Sequence, residues 1–451
     1  MKNNQFINQP RMKKKAGMVC FLLVSTMSLL AQTKTLRLEE AIQSGIQNSK
    51  QLKLSQSKID QAVSQFEQSK DLALPSAKIS GGYSHALMLA NKLSIPGDSG
   101  KTSTIKLPFD NTLYQATLSI NEPIFAGHQF KYAKQSADLL VHMGKLDAEK
   151  DKDEVVFTII NAYLNYYKII KNQAIVQQNL DDIKGKLDEI TKYESQGLAT
   201  QNDVLRYDLQ KSNTELIALE LENNRQIANY NMNILLGFPD STTLQVEEVT
   251  YKLDVDGNYD QYLQQALKDR KEFGSLQYQA QIADLNVKKI HDQQLPTVGV
   301  GGSLYYFNLS KPLIPKSGTF LAPFIIGINA SWDISTLYKT KNKLGEANIE
   351  KQQVSVNHDI QVDRIKNEVH QDYMQYHLSL ERIKILQSAV TQATENERVM
   401  ESKFHNNLAT TTDRIDAQTL LYQSRVNLEL AKADATISYY GLLKSTGHIQ
   451  P

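Results

Sequence analysis

The chain has 451 residues, a formal net charge of +1, 41% apolar residues and a single cysteine. That length has room for two or three ordinary domains, and the balanced charge excludes the basic excess with which proteins meet nucleic acid. One cysteine excludes a disulfide framework and a cysteine-rich metal site.

The N-terminus reads as a targeting segment. Lys2, Arg11, Lys13, Lys14 and Lys15 form a basic stretch with no acidic residue, an apolar run follows from Met18 to Leu30, and Leu29 and Ala31 suit the −3 and −1 positions of a cleavage site. This is the pattern of a secretory signal peptide over residues 1–31, too short to span a bilayer. Cys20 lies inside it, so the mature chain is expected to be cysteine-free. Its removal takes five positive charges and no negative ones, leaving a formal charge of −4. No later stretch approaches about 18 continuous apolar residues, so any membrane part must be a β-barrel.

Eight of the eleven prolines fall in two clusters: Pro75, Pro96, Pro108 and Pro123, then Pro296, Pro312, Pro315 and Pro323. Proline is expelled from helix interiors, so the proline-free tracts 124–238 and 324–450 contain the helices. The first cluster brackets strands over about 77–88 and 112–122. In the second of these, Tyr114, Ala116, Leu118 and Ile120 alternate with Gln115, Thr117, Ser119 and Asn121. A helical hairpin over about 127–237 follows. Val155, Ile159, Ala162, Tyr166, Ile169, Gln173, Val176, Leu180, Ile183, Leu187 and Ile190 mark a 3.5-residue seam. Gly197-Leu198-Ala199 forms the turn, and Leu205, Leu209, Ser212, Leu216 and Leu219 are the expected seam of the returning helix. A linker lies around 238–258.

The second half repeats the first. Strands are expected over about 297–307 and 320–333, where Phe324, Ile326, Ile328, Ala330 and Trp332 face away from Ile325, Gly327, Asn329, Ser331 and Asp333. A helical hairpin over about 337–447 follows. An offset of 210 carries Leu198-Ala199-Thr200 onto Leu408-Ala409-Thr410 and Asp203 onto Asp413. An offset of 221 carries Leu74-Pro75 onto Leu295-Pro296 and Gly81 onto Gly302. The predicted organisation is therefore a leader over 1–31 and two repeats, 32–240 and 241–451. The fold class is mostly α with a small β part, built from a duplicated unit of long coiled-coil helices and a β-hairpin. Alternating strands of about 9–11 residues suit an outer-membrane barrel. Tyr305, Tyr306, Phe307, Phe320 and Trp332 gather at strand ends like an interfacial girdle. Four strands cannot close a barrel, so several chains must share one.

The chain resembles the outer membrane efflux protein family, whose type member is TolC. The likeness rests on the duplicated architecture, Leu74-Pro75 and Leu295-Pro296, Glu122-Pro123-Ile124-Phe125-Ala126-Gly127, and the tips Gly197-Leu198-Ala199…Asp203-Val204-Leu205 and Leu408-Ala409…Asp413. It implies a homotrimer in the outer membrane of a Gram-negative bacterium, with a 12-stranded β-barrel continued by a periplasmic α-helical barrel. It also implies an exit channel of a tripartite efflux or type I secretion system. The partners would be a periplasmic adaptor protein and an inner-membrane transporter, with no cofactor and no catalysis. The alternative is a non-channel periplasmic coiled-coil scaffold, which has no use for a lipid-facing apolar band.

Asp413 and Asp416 share one helix face and match a pair that lines the narrow end of the tunnel in related proteins; in a trimer they would favour cations. Thr200-x-x-Asp203 and Thr410-x-x-Asp413 read equally as capping boxes. Some relatives latch the tip by pairing the first-tip aspartate, here Asp203, with a tyrosine and an arginine. Phe404 and Ala409 stand at those positions, so that latch cannot form as such. Gly197, Leu198 and Ala199, with Asn407, Leu408 and Ala409, are candidate adaptor-docking tips. Gly97-Asp98-Ser99-Gly100-Lys101-Thr102 has the wrong spacing for a phosphate loop and reads as an external loop. The nine histidines form no ligand set.

Overall fold

The computed structural model describes residues 33–87, 92–96, 100–108, 110–249, 257–313 and 318–449. The expected leader, with Cys20, and Gly97-Asp98-Ser99 lie outside the described residues. In chain order the elements are β1 (Thr33–Leu36), α1 (Leu38–Asn48), α2 (Lys50–Asp71), β2 (Ser76–Leu87), β3 (Lys92–Pro96), β4 (Thr102–Lys106), β5 (Asp110–Phe125), α3 (Gln129–Ser195) and α4 (Gln201–Leu236). The second half holds β6 (Thr243–Val246), α5 (Tyr259–Asp269), α6 (Lys271–Asp292), β7 (Thr297–Leu309), β8 (Phe320–Leu321), β9 (Phe324–Ser331), α7 (Thr336–His405) and α8 (Thr411–Ser445). The chain is mostly helical, and α3 and α7 reach 67 and 70 residues. No helix among the described residues is long and apolar enough to cross a membrane.

Two compact units divide the chain. One gathers residues up to Asn48, Ala162–Thr250 and Ala393–Glu429; the other gathers Ser49–Asn161, Tyr251–Gln392 and the residues from Leu430 on.

The second unit contains the sheet. β2 pairs with β5, β5 with β7, and β7 with β9 and the short β8, all antiparallel. Because side chains alternate across a strand, the register places Ile79, Tyr83, Leu118, Leu304, Ile326 and Ile328 on one face. All six are exposed, Ile79 at 79% and Ile328 at 78%. The opposite face carries Ser80, Thr117, Ser119, Ser303 and Asn329. Among the described residues the sheet is open, with β2 and β9 as its long outer strands.

In the same unit α3 packs on α6. A side chain at Gly274 would fall 2.7 Å from Leu146, Lys271 pairs with Glu149 at 3.3 Å, and His142 stacks on Tyr278. On α7, Ile365 and Val369 pack with Ala266, and Tyr376 with Tyr439 and Leu442. Asp372 and Ser379 interrupt this seam. Ser379 is buried and returns its hydroxyl to the Tyr376 carbonyl at 2.6 Å.

In the first unit the α3 seam is the core: Tyr166, Val176, Leu180, Ile183 and Ile190 are buried. Two of its tyrosines anchor a small parallel pair, β1 with β6. Tyr163 donates to the Leu36 carbonyl at 2.9 Å and Tyr166 to the Leu244 carbonyl at 2.8 Å. The linker expected around 238–258 therefore contains a strand. The α4 seam differs from expectation. Leu205, Leu209, Leu216 and Leu219 are 56–68% exposed, whereas Tyr207, Thr214, Met232, Asn233 and Leu236 are buried. The apolar period is real, but its face looks out of the chain.

Candidate functional site

Both hairpin turns lie in the first unit, and both are built the same way. Gly197 and Asn407 take left-handed backbone, φ +76° and +59°, which glycine and asparagine accept most readily. The turns close through Leu198 N–H to the Tyr193 carbonyl and Leu408 N–H to the Lys403 carbonyl, both 2.8 Å. Leu198 and Leu408 project outward, 71% and 76% exposed. Ala199 and Ala409 are half-buried.

Asp203 and Asp413 act as helix caps. Asp203 Oδ2 accepts from the Thr200 backbone at 2.9 Å and hydroxyl at 2.6 Å, and Thr200 Oγ1 accepts from the Asp203 N–H. Thr410 and Asp413 repeat this with 2.8 and 2.7 Å. These boxes satisfy donors that a helix start leaves unpaired. Burial acts to raise the Asp203 pKa, but the bonds from Thr200 and Thr411 outweigh it and hold it below the ordinary value. The Thr410 N–H and hydroxyl do the same for Asp413. Asp413 and Asp416 are both exposed. Asp416 lies one turn further along α8, with its carboxylate free of cap duty.

Sequence reasoning missed the residue beside them. Arg414 is 2% exposed. Its Nη2 donates to Glu189 of α3 at 2.7 Å, and its Nε donates to Glu401 of α7 at 2.7 Å, with a second bond from Nη2 to Glu401. The guanidinium also lies over the Phe404 ring, 4.6 Å from its centroid. Lys186 adds Glu397 at 2.9 Å and Glu401 at 3.3 Å, and His405 Nε2 reaches Glu401 at 3.2 Å. Burial opposes the charge of Arg414, but the two glutamates outweigh it and raise its pKa. Burial likewise acts to raise the Glu401 pKa, and Arg414 and Lys186 overcome it and lower it. Phe404, which stands where a latch tyrosine was sought, stacks on Tyr193. A polar cavity of about 320 Å³ adjoins, lined by Asn179, Lys186, Glu397, Glu401 and Gln418 among others. Only the fold unites Glu189 with Arg414, 225 residues apart; no local pattern announces them.

Among the described residues no group of three His, Cys, Asp or Glu side chains is arranged to hold a metal ion.

The sheet thus carries an apolar face that is exposed along its outer strands, and α3 and α7 reach 67 and 70 residues. Residues 262–448 match the family described as outer membrane efflux protein. The outer membrane efflux protein BepC of Brucella suis biovar 1 (strain 1330) is 20% identical over 74% of this chain and 72% of its own. VceC, an outer membrane protein of Vibrio cholerae, shares the fold with a TM-score of 0.72 at 16% identity, covering 92% of this chain and 97% of that one. The CmeC outer membrane channel of Campylobacter jejuni gives 0.69 at 15% identity, covering 91% and 86%. The chain shares the fold of these outer membrane channels, and the match to the family covers residues 262–448 of it. Its place is the outer membrane, with a large periplasmic part.

Proposed function

We propose that this chain is the exit duct of a tripartite efflux or type I secretion system. Three copies contribute four long strands each to a 12-stranded barrel, and their helices continue it as a periplasmic tunnel. A periplasmic adaptor docks at the tips and links the duct to an inner-membrane transporter. Solutes leave through the lumen with no covalent chemistry. The observation that carries this reading is the sheet: four strands with one continuous apolar face, exposed along both outer strands. Barrels of single chains need at least about eight strands, so this face reaches lipid only if copies complete one another. The exposed leucine stripe on α4 supports the same conclusion, since an apolar seam of that length is costly in water. A non-channel scaffold would leave the sheet face without a purpose.

Within this reading Leu198 and Leu408, with Gly197, Ala199, Asn407 and Ala409, are the adaptor contacts. Asp413 and Asp416 line the narrow end of the lumen as rings of carboxylates, and Asp203 stands beside them on the first tip. Asp416 carries more of the selectivity, because the Asp413 carboxylate is engaged by Thr410.

Single-channel conductance of the purified protein in a planar bilayer tests this. Discrete, cation-selective steps are expected, with selectivity reduced in Asp416→Ala and further in Asp413→Ala/Asp416→Ala. A protein that remains soluble without detergent and never inserts would overturn the duct.

A further inference from the structure

The polar cavity beside the Arg414 cluster lies wholly within the first unit, between α3, α7 and α8, and its charges are not matched by the protein alone. At the end nearer the hairpin turns, Lys186 and Arg414 hold Glu397 and Glu401. Asp182, one turn along α3 from Lys186, lines the same cavity, and none of the described residues pairs with it. Arg425 lines the far end. It stands eleven residues beyond Arg414 on α8, about 16 Å at about 1.5 Å per residue, and its guanidinium is likewise without an ion pair. A carboxylate and a guanidinium thus face one cavity without meeting, farther apart than the 4.0 Å of an ion pair.

Two enclosed amides lie between these charges. Asn179 and Gln418 are each 7% exposed and share one bond, from Gln418 Nε2 to Asn179 Oδ1 at 3.3 Å. Gln418 Oε1 and Asn179 Nδ2 have no partner among the described residues. Amides this enclosed are ordinarily satisfied at both ends, and both line the cavity. Tyr422 adds a phenol from the same wall, its pKa raised by burial alone. The wall therefore offers a carboxylate and an amide carbonyl as acceptors. As donors it offers a guanidinium, an amide N–H and a hydroxyl.

We infer that this cavity binds a small zwitterion, its ammonium on Asp182 and Gln418 and its carboxylate on Arg425 and Asn179. A lone cation would answer Asp182 and repel Arg425, and a lone anion would do the reverse. A carboxylate can meet a guanidinium through two parallel bonds, which fixes its orientation as well as its place. The volume of about 320 Å³ equals about ten waters at about 30 Å³ each, room for a molecule the size of an amino acid. The cavity belongs to one chain, so the site does not depend on the assembly proposed above.

Isothermal titration of the full chain in detergent, with glycine, γ-aminobutyrate and ε-aminocaproate, tests this. Butyrate and butylamine serve as single-charge controls. One amino acid should bind at least about tenfold more tightly than either control, because the distance between the two charges selects one length. Asp182→Asn and Arg425→Gln should each weaken that binding at least about tenfold. Both should leave the unfolding midpoint of the ligand-free protein unchanged, since neither side chain has a partner to lose. A lowered midpoint would mean that the charges are already engaged, and would overturn the site. Binding of butylamine as tight as that of the amino acids would overturn the zwitterion. Binding unchanged in both variants, or no heat from any probe up to about 10 mM, would overturn the site itself.

Discussion

The two hairpin tips share a backbone and differ in what they bury. Each turns through a left-handed residue, exposes a leucine and starts its second helix on a Thr–Asp box. One residue past the aspartate they part. Val204 joins an apolar cluster with Ile183, Ile190 and Tyr207. Arg414, its counterpart at an offset of 210, is more deeply enclosed, yet carries a full charge held by two glutamates. The turn chemistry is the same at both tips; the interior it caps is not. An apolar contact tolerates small shifts, whereas a buried ion cluster is strong only while every partner stays in place.

The largest test of that contrast removes the charge. Arg414→Leu leaves Glu189 and Glu401 facing each other, at a cost of about 3 kcal/mol once their partial exposure is allowed for. Val204→Ala, which loses two methyl groups, should cost only about 1.5 kcal/mol. Thermal unfolding followed by helical circular dichroism should place Arg414→Leu well below Val204→Ala; equal midpoints would erase the distinction.

Acid should loosen the second tip more than the first. Asp203, Asp413 and Glu401 have folded pKa values below their ordinary values of 3.8, 3.8 and 4.5. Their stabilisation is therefore complete above those values and fades as pH falls through the lowered ones. Below about pH 4 both boxes and the Arg414 cluster weaken. Protease cleavage should then reach the second tip, where Asp413 and Glu401 both titrate, before the first. In Glu401→Gln that lead should shrink.

The smallest effects should be symmetrical. Thr200→Ala and Thr410→Ala should each cost about 1 kcal/mol. Gly197→Ala should cost about 1 kcal/mol at its positive φ, and Asn407→Gly should be neutral or slightly stabilising. Unequal cap costs, measured by the same unfolding assay, would mean the tips differ in more than their interiors.

Much of this was legible because it is periodic or local. The α3 seam predicted from Val155 to Ile190 is where the burial lies, the alternation at 324–333 folds as β9 as far as Ser331, and Thr-x-x-Asp produced the cap its chemistry implies. What escaped depends on distance. The α4 leucines have the right period, but a period says only that a face is apolar, not whether its neighbour belongs to the same chain. Arg414 follows an aspartate in an ordinary polar stretch, and its glutamates come from two other helices. β1 and β6 are four residues each, too short to alternate, and they exist because Tyr163 and Tyr166 hold their carbonyls.

That parallel pair also bears on how the protein is made. β1 begins at Thr33, near the start of the chain, yet its partner starts at Thr243. Contacts between such distant stretches form slowly, because loop-closure entropy must be met before the contact rewards it. An early-made segment therefore stays unpaired until Tyr163 and Tyr166 of α3 and the strand β6 have been made and brought to it. Setting β1 is a late event in the life of an early segment. Throughout that interval the strand is open to any periplasmic chaperone or protease that recognises extended chain.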